Sequence, residues 1–457
     1  MNHPTRTGPR LLSALLLLVP IATTAADDAS GPVPRYRLKP GQELSYRGTS
    51  DFKYENGSLG TESDWRAWVL RANADGSWRL LLRVTSKMTQ TYNGSKQGNG
   101  PADVSMAYCD LFPDGRIVAN DSFGYRVEPS SIFPRLPADA DQAKRGWDES
   151  NPRQGTRTEF KPSGQAKGAE WTFEGVPHSP TDKIYLSSSL ARYTFDAGRG
   201  LVGRIETENA QGYGFNGKGT GTEELTSVEQ MAPDRLAALA RESDRYFEAS
   251  RAYQALATEA GKAVEGAEAI LARGEATLKA AREAIATPIL RDQLDTLLKN
   301  HAQMGPYYAE QAKNRAEVVG RDAAAWDTKD LEGRPHSLAA YRGKVVVLDF
   351  WYRGCGWCIR AMPQMKQLAD DFAGQPVAIL GMNTDRVEGD ARLVVDEMKL
   401  NYPTLKAEGL PEKYKVQGFP TLIIIDQTGK VADVHVGYSP TLREEVGKAI
   451  KDLLARK

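Results

Sequence analysis

Cysteine and histidine are both scarce in this chain, with three cysteines and five histidines in 457 residues. Three cysteines cannot build the disulfide framework of a small secreted scaffold, and a chain of this length can form ordinary apolar cores instead. An excess of either charge is also missing, since 59 lysines and arginines face 59 aspartates and glutamates. That balance argues against nucleic acid and against an acidic membrane surface, leaving protein or small-molecule partners. No apolar run approaches the roughly 20 residues of a membrane span, so the mature chain is expected to have none.

The start of the chain reads as an address. Arg6 and Arg10 precede "LLSALLLLVPIA", and "ATTAA" then leads into the polar "DDAS". A basic start, a short apolar core and small residues describe a secretory signal peptide over residues 1–26, with an uncleaved anchor as the alternative. No cysteine follows at once to carry a lipid. Export, most simply to a bacterial periplasm, puts the protein where disulfides persist.

The remaining length suggests two to four domains, and three textures divide it. Residues 33–228 are rich in glycine, serine, threonine and aromatics, with turn signals at Asn56-Gly57, Asp75-Gly76, Asn93-Gly94 and Asp114-Gly115. Between them lie runs such as "WRLLLRVTSKM", which predicts antiparallel strands joined by tight turns. The pieces "YRLKPGQELSYRG" and "LFPDGRI" resemble secreted bacterial half-barrel domains. Cys109, alone in the strand-like "VSMAYCDLF", reads as a small buried apolar residue, with an intermolecular disulfide as the alternative. Residues 232–320 are dominated by alanine, leucine, glutamate, lysine and arginine at helical spacing, with Pro288 and Pro306 as expected breaks. Gly261, Gly266 and Gly274 argue against a long coiled coil, so the segment reads as a helical linker or packing domain.

Strand and helix alternate over residues 325–457. "KVVVLDFW" is a nearly continuous apolar strand of the doubly buried kind. Met362, Met365, Leu368, Ala369 and Phe372 fall on one helical face, and further strands are expected at "PVAILGMN", "TLIIID" and "KVADVHVG". The fold class expected is therefore multidomain α+β: an N-terminal antiparallel β domain, a helical middle and a C-terminal α/β domain.

Two cysteines, Cys355 and Cys358, stand in "FWYRGCGWCIRAMP" between that strand and that helix. A structural zinc site needs four ligands, yet there is one pair, and no histidine lies between His336 and His435. A structural disulfide gains by closing a long loop, which a two-residue spacer does not do. A redox couple needs little else: at a helix start, unpaired N–H groups and the dipole lower the first thiol's pKa, and the second thiol resolves a mixed disulfide. Cys355 is then the nucleophile and Cys358 the resolver, with Arg353 and Arg360 adding positive charge nearby. Asp349, inside the apolar strand, should have its pKa raised by burial and fits a proton acceptor for Cys358, with an acid at a strand end that reaches water as the alternative. "QGFPT" before "TLIIID" suggests a fixed turn, with Phe419-Pro420 cis and its backbone offered to a substrate.

With these residues in view, residues 325–457 resemble the thioredoxin superfamily, and within it the TlpA- and ResA-like exported thiol-disulfide oxidoreductases. "LAAYRGKVVVLDFW", "CGWC", "RAMP" and "GFPTLIIIDQTGK" carry the resemblance in the family's order. It implies a thioredoxin fold, attack by Cys355, resolution by Cys358, Asp349 as the buried acid, Pro420 as the cis-proline, and Trp357 and Phe419 beside the substrate. It implies no cofactor beyond the redox-active Cys355–Cys358 disulfide. Partners would be client proteins with thiols or disulfides and a thiol electron donor. Three positions depart from the pattern: Gly354 where tryptophan is usual, Trp357 where proline is common, and Ala361 where many members have glutamate. Two alternatives stand beside this reading. One is a peroxide-reducing enzyme on the same fold, whose usual proline and threonine before the cysteine are absent from "FWYRGC". The other is a binding module in which the β domain acts and the thioredoxin-like part is accessory.

Overall fold

The structure is a computed structural model that describes residues 33–97, 102–123, 127–151, 156–164, 169–213 and 216–456. The expected signal peptide lies outside them. Among the described residues no helix is long and apolar enough to cross a membrane.

Twelve antiparallel strands form one open sheet. Its spatial order runs Ile117–Phe123, Asp103–Leu111, Trp78–Tyr92, Gly57–Ala72, Gln42–Tyr54, Gly217–Gln230, Leu201–Gln211, Ser188–Asp196, Glu170–His178, Thr156–Pro162, Trp147–Asn151, with Ser95–Gln97 hairpinned onto Trp78–Tyr92. Successive side chains of a strand point to opposite faces. Ala67, Val69, Leu80, Leu82, Ala107 and Cys109 accordingly enter a core on one face. Their neighbours Trp68, Leu70, Leu81, Met106 and Tyr108 enter a second core on the other. Cover on both faces explains why Leu80, Leu81 and Leu82 follow one another without a polar residue between them. Cys109 is buried and unpaired, and burial pushes its thiol up to about 12, which leaves it inert.

Three of the four turn signals sit at turns. Asn93 and Gly94 both take positive φ, as do Gly76 and Gly115, whereas at the first signal the turn is Glu55-Asn56 and Gly57 already belongs to a strand. Gly115 has φ +81° and no room, because an added Cβ would lie 2.3 Å from the Pro134 carbonyl oxygen. Gly115→Ala is therefore expected to destabilise the sheet by about 2 kcal/mol or more, from left-handed strain plus a backbone clash. Urea unfolding followed by tryptophan fluorescence checks this, and an unchanged midpoint would refute it.

The second core is closed by the helices Pro233–Lys262, Ala267–Ala284 and Pro288–Val318, through Leu239, Phe247, Leu278, Leu290 and Leu294. They pack on the sheet as a layer rather than as a coiled coil. Gly266 breaks the run at φ +75°, and Gly274 lets the Tyr253 ring approach closely. Pro306, expected to end a helix, lies inside Pro288–Val318 instead. Pro306 is exposed, and the helix continues past it although its ring supplies no amide to the carbonyl one turn back.

The last sheet is mixed, in the order Thr404–Lys406, Val377–Asn383, Val345–Trp351, Thr421–Ile425, Val431–Val436. Val345–Trp351 is central, parallel to Val377–Asn383, antiparallel to Thr421–Ile425, and buried along its whole length. The helices Gly356–Asp371 and Leu442–Leu454 cover one face through Met365, Leu368, Phe372, Val446 and Ile450. Trp326, Leu410 and Tyr414 cover the other, with Val346, Leu348 and Phe350 beneath them. Three short strands, Thr404–Lys406, Asp327–Lys329 and Pro335–Ser337, lie beyond those expected. The three-residue runs carry no legible alternation.

Candidate active site

The site is built where the central strand ends and the helix Gly356–Asp371 begins. Cys355 is the N-cap of that helix, and its Sγ accepts the N–H of Cys358 at 3.1 Å. Cys358 lies one turn in, and the two sulfurs are bonded at 2.06 Å. An N-cap sulfur sees the unpaired amides and the positive end of the dipole, which favour a thiolate once the bond is reduced. Cys355 is 6% exposed and Cys358 2%.

Strand alternation puts Asp349 on the same face as Val347 and Trp351, towards the helix that carries Cys358. It is buried at 2% exposure, and burial pushes its carboxyl up to about 7. One hydrogen bond works against burial: Tyr402 Oη donates to Asp349 Oδ2 at 3.4 Å, too long to restore an ordinary acidity. Ala361 is buried in the same apolar cluster as Tyr402.

Phe419-Pro420 is cis, and Phe419 packs on the apolar cluster that holds both cysteines. The Pro420 carbonyl already accepts the Gly437 N–H at 2.8 Å, so that part of the expected backbone is occupied. Trp357 stacks on Tyr438 with ring centroids 5.5 Å apart, and the Arg360 guanidinium lies 4.9 Å from the Trp357 centroid. Gly354 has a steric reason to be glycine, because an added Cβ would come within 2.9 Å of the Tyr352 ring. That ring packs edge-on against Phe419, at 5.2 Å and 89°. Tyr352 thus fills the space beside the cysteines that a larger residue 354 would need.

Arg353, expected to add positive charge near Cys355, lies two residues before it and is held by partners. Its guanidinium pairs with Asp390 at 2.7 Å and caps the carbonyl of Ile184, a residue of the large sheet's connecting segment. Its main-chain N–H donates to Asp385, whose carboxyl is itself raised by burial. Ile184, Asp385, Asp390 and Tyr402 were missed from sequence. No local pattern marks them, since each reaches the site through tertiary contact.

Against this geometry the relatives can be set. The profile of the AhpC/TSA family matches residues 319–434. The thiol-disulfide oxidoreductase ResA of Halalkalibacterium halodurans is 32% identical over 133 residues, which are 29% of this chain and 74% of that protein. The chain belongs to the ResA family. The thioredoxin-like protein YneN of Bacillus subtilis is 33% identical over 122 residues, 26% of this chain and 71% of its own. A solved structure of a thiol:disulfide interchange protein DsbE from Chlorobium tepidum is 29% identical, covering 30% of this chain and 98% of that one, with a TM-score of 0.29. The ResA-like part is thus the C-terminal thioredoxin-like domain, and the protein is a thiol-disulfide oxidoreductase. The large sheet and the helical layer lie outside the matched residues.

Proposed function

We propose that this protein is an exported oxidoreductase that exchanges disulfides with client proteins through the Cys355/Cys358 couple, without any other cofactor. The observation that carries this reading is the pair itself: two bonded sulfurs one helical turn apart, the first at the N-cap, beside a strand that holds a buried carboxyl. In its reduced form Cys355 attacks one sulfur of a client disulfide, and the other client sulfur leaves as a thiol. Cys358 then attacks Cys355 Sγ, giving up its proton to Asp349, and the second client thiol departs as the Cys355–Cys358 bond closes. Two electrons pass from the dithiol to the client, and a thiol donor restores the pair. Trp357, Phe419 and Pro420 line the approach. Residues 33–228 and 232–320 serve as an attached β domain and its helical packing partner, and residues 1–26 as the export signal that brings the protein to a periplasm.

The test is a trap. Cys358→Ala should accumulate mixed disulfides through Cys355, visible as adducts on non-reducing gels and located by mass spectrometry. A folded variant that forms none, while wild type consumes peroxide, would transfer the assignment to peroxide reduction.

A further inference from the structure

Exchange requires a foreign sulfur to reach Cys355, yet the disulfide is almost wholly covered. The cover comes from a turn far away in sequence, with Ile184 169 residues before Arg353. The helical turn Asp182–Tyr185 lies between the strands Glu170–His178 and Ser188–Asp196 of the large sheet. It sends Ile184 to zero exposure in the apolar cluster that contains Cys355, Cys358, Trp351 and Ile359.

Arg353, two residues before Cys355, latches this turn in place. Its Nε and Nη2 donate to the Ile184 carbonyl at 3.1 and 2.5 Å. The Tyr213 ring, just past the strand Leu201–Gln211, lies 3.7 Å from the guanidinium carbon, and the Tyr213 N–H donates to the Tyr185 carbonyl at 3.0 Å. Tyr185 Oη in turn donates to the Arg353 carbonyl at 3.3 Å. Hydrogen bonds to a charged, buried group are among the stronger ones, so these contacts favour a closed roof.

A cleft opens beside the roof, lined by Gly356 and Trp357 between the two cysteines but by neither cysteine itself. It holds about 310 Å³ between Ser179, Thr181 and Tyr185 on one bank and Trp357 and Arg360 on the other. That is at the low end of small-ligand pockets, roughly 300 to 1,000 Å³. A stable contact with a folded surface buries about 800 Å² per partner, which a cleft of this size cannot seat. A single extended strand of polypeptide needs far less width.

We propose that the turn Asp182–Tyr185, latched by Arg353, determines specificity: it admits disulfides on extended chain segments and turns away those on folded surfaces. This rests on the exchange reading of Cys355 and Cys358.

The experiment uses the full chain, reduced with dithiothreitol and freed of it, and follows release of thionitrobenzoate from a mixed disulfide. The same mixed disulfide is placed on a disordered peptide and on a surface cysteine of a folded protein, and both rates are normalised to that with oxidised glutathione. Wild type should favour the peptide by about 50-fold, and Ile184→Gly should narrow this to under about 5-fold by speeding the folded substrate. Tyr213→Leu, which removes only the ring over Arg353, should move the ratio the same way and serves if Ile184→Gly does not fold. Equal rates on the two substrates for wild type, or a ratio that neither variant moves, would overturn the roof. A wild type inert even to glutathione disulfide would instead remove the exchange reading beneath it.

Discussion

Cys355→Ser should lower disulfide reduction by the full chain at least about a thousandfold, to the uncatalysed background, because a serine hydroxyl supplies no thiolate at neutral pH. The substitution is a clean one. Serine is a favoured N-cap, and its oxygen can accept the Cys358 N–H that the sulfur now accepts, so the helix start survives. Losing the disulfide costs little, since it closes a loop of only a few residues. The surviving thiol cannot take over, because Cys358 is buried inside the helix turn and lacks the N-cap position. Cys358→Ser, by contrast, should keep the first attack and lose turnover, giving one stoichiometric release of thionitrobenzoate and then nothing. The two variants are compared in a stopped-flow assay against wild type. Retention of more than about a tenth of the activity by Cys355→Ser, with Cys358→Ser silent from the start, would reverse the order of the cysteines.

How much of this was legible beforehand depended on where each residue's partners lie. The central strand Val345–Trp351 could be read because burial on both faces writes a continuous apolar run. The cysteine pair could be read because its chemistry is set by spacing and a helix start. Asp349 stood out as a charge inside that run, and its burial followed. The covered state of the dithiol was not legible. "DKIY" is a four-residue turn with no period, and its contact with Arg353 joins stretches 169 residues apart in the chain. That Arg353 would be paired was not legible either, because Asp390, its partner, sits on a separate helix, Glu388–Met398. The helical layer shows the same limit in another form: its apolar periodicity announced helices, but only the second face of the sheet says what they cover.

Asp349→Asn should stabilise the protein at alkaline pH while slowing its turnover. The carboxyl's pKa is raised by burial from 3.8 to about 7, so the cost is paid when it ionises in the folded state. Below about pH 4 both folded and unfolded chains hold the proton, and the group is neutral to stability. Between there and pH 7 the unfolded chain releases a proton that the folded one keeps, so stability falls as pH rises, and above 7 the full penalty stays. A shift of this size corresponds to about 4 kcal/mol. Urea unfolding of the oxidised proteins should therefore give matching midpoints near pH 4 and an advantage for the asparagine variant of about 4 kcal/mol at pH 8. The same property serves the reaction, because a carboxylate that titrates near 7 can take a proton from the Cys358 thiol and hand it on. An amide cannot. The resolving step should slow by about a hundredfold in Asp349→Asn, so that mixed disulfide accumulates with Cys358 still present. Wild-type resolution should also rise with pH through about 7 as the base ionises, a rise that the variant lacks and Asp349→Glu restores in part. Parallel stability curves across pH together with an unchanged resolving rate would show that Asp349 is a buried acid without a part in the exchange.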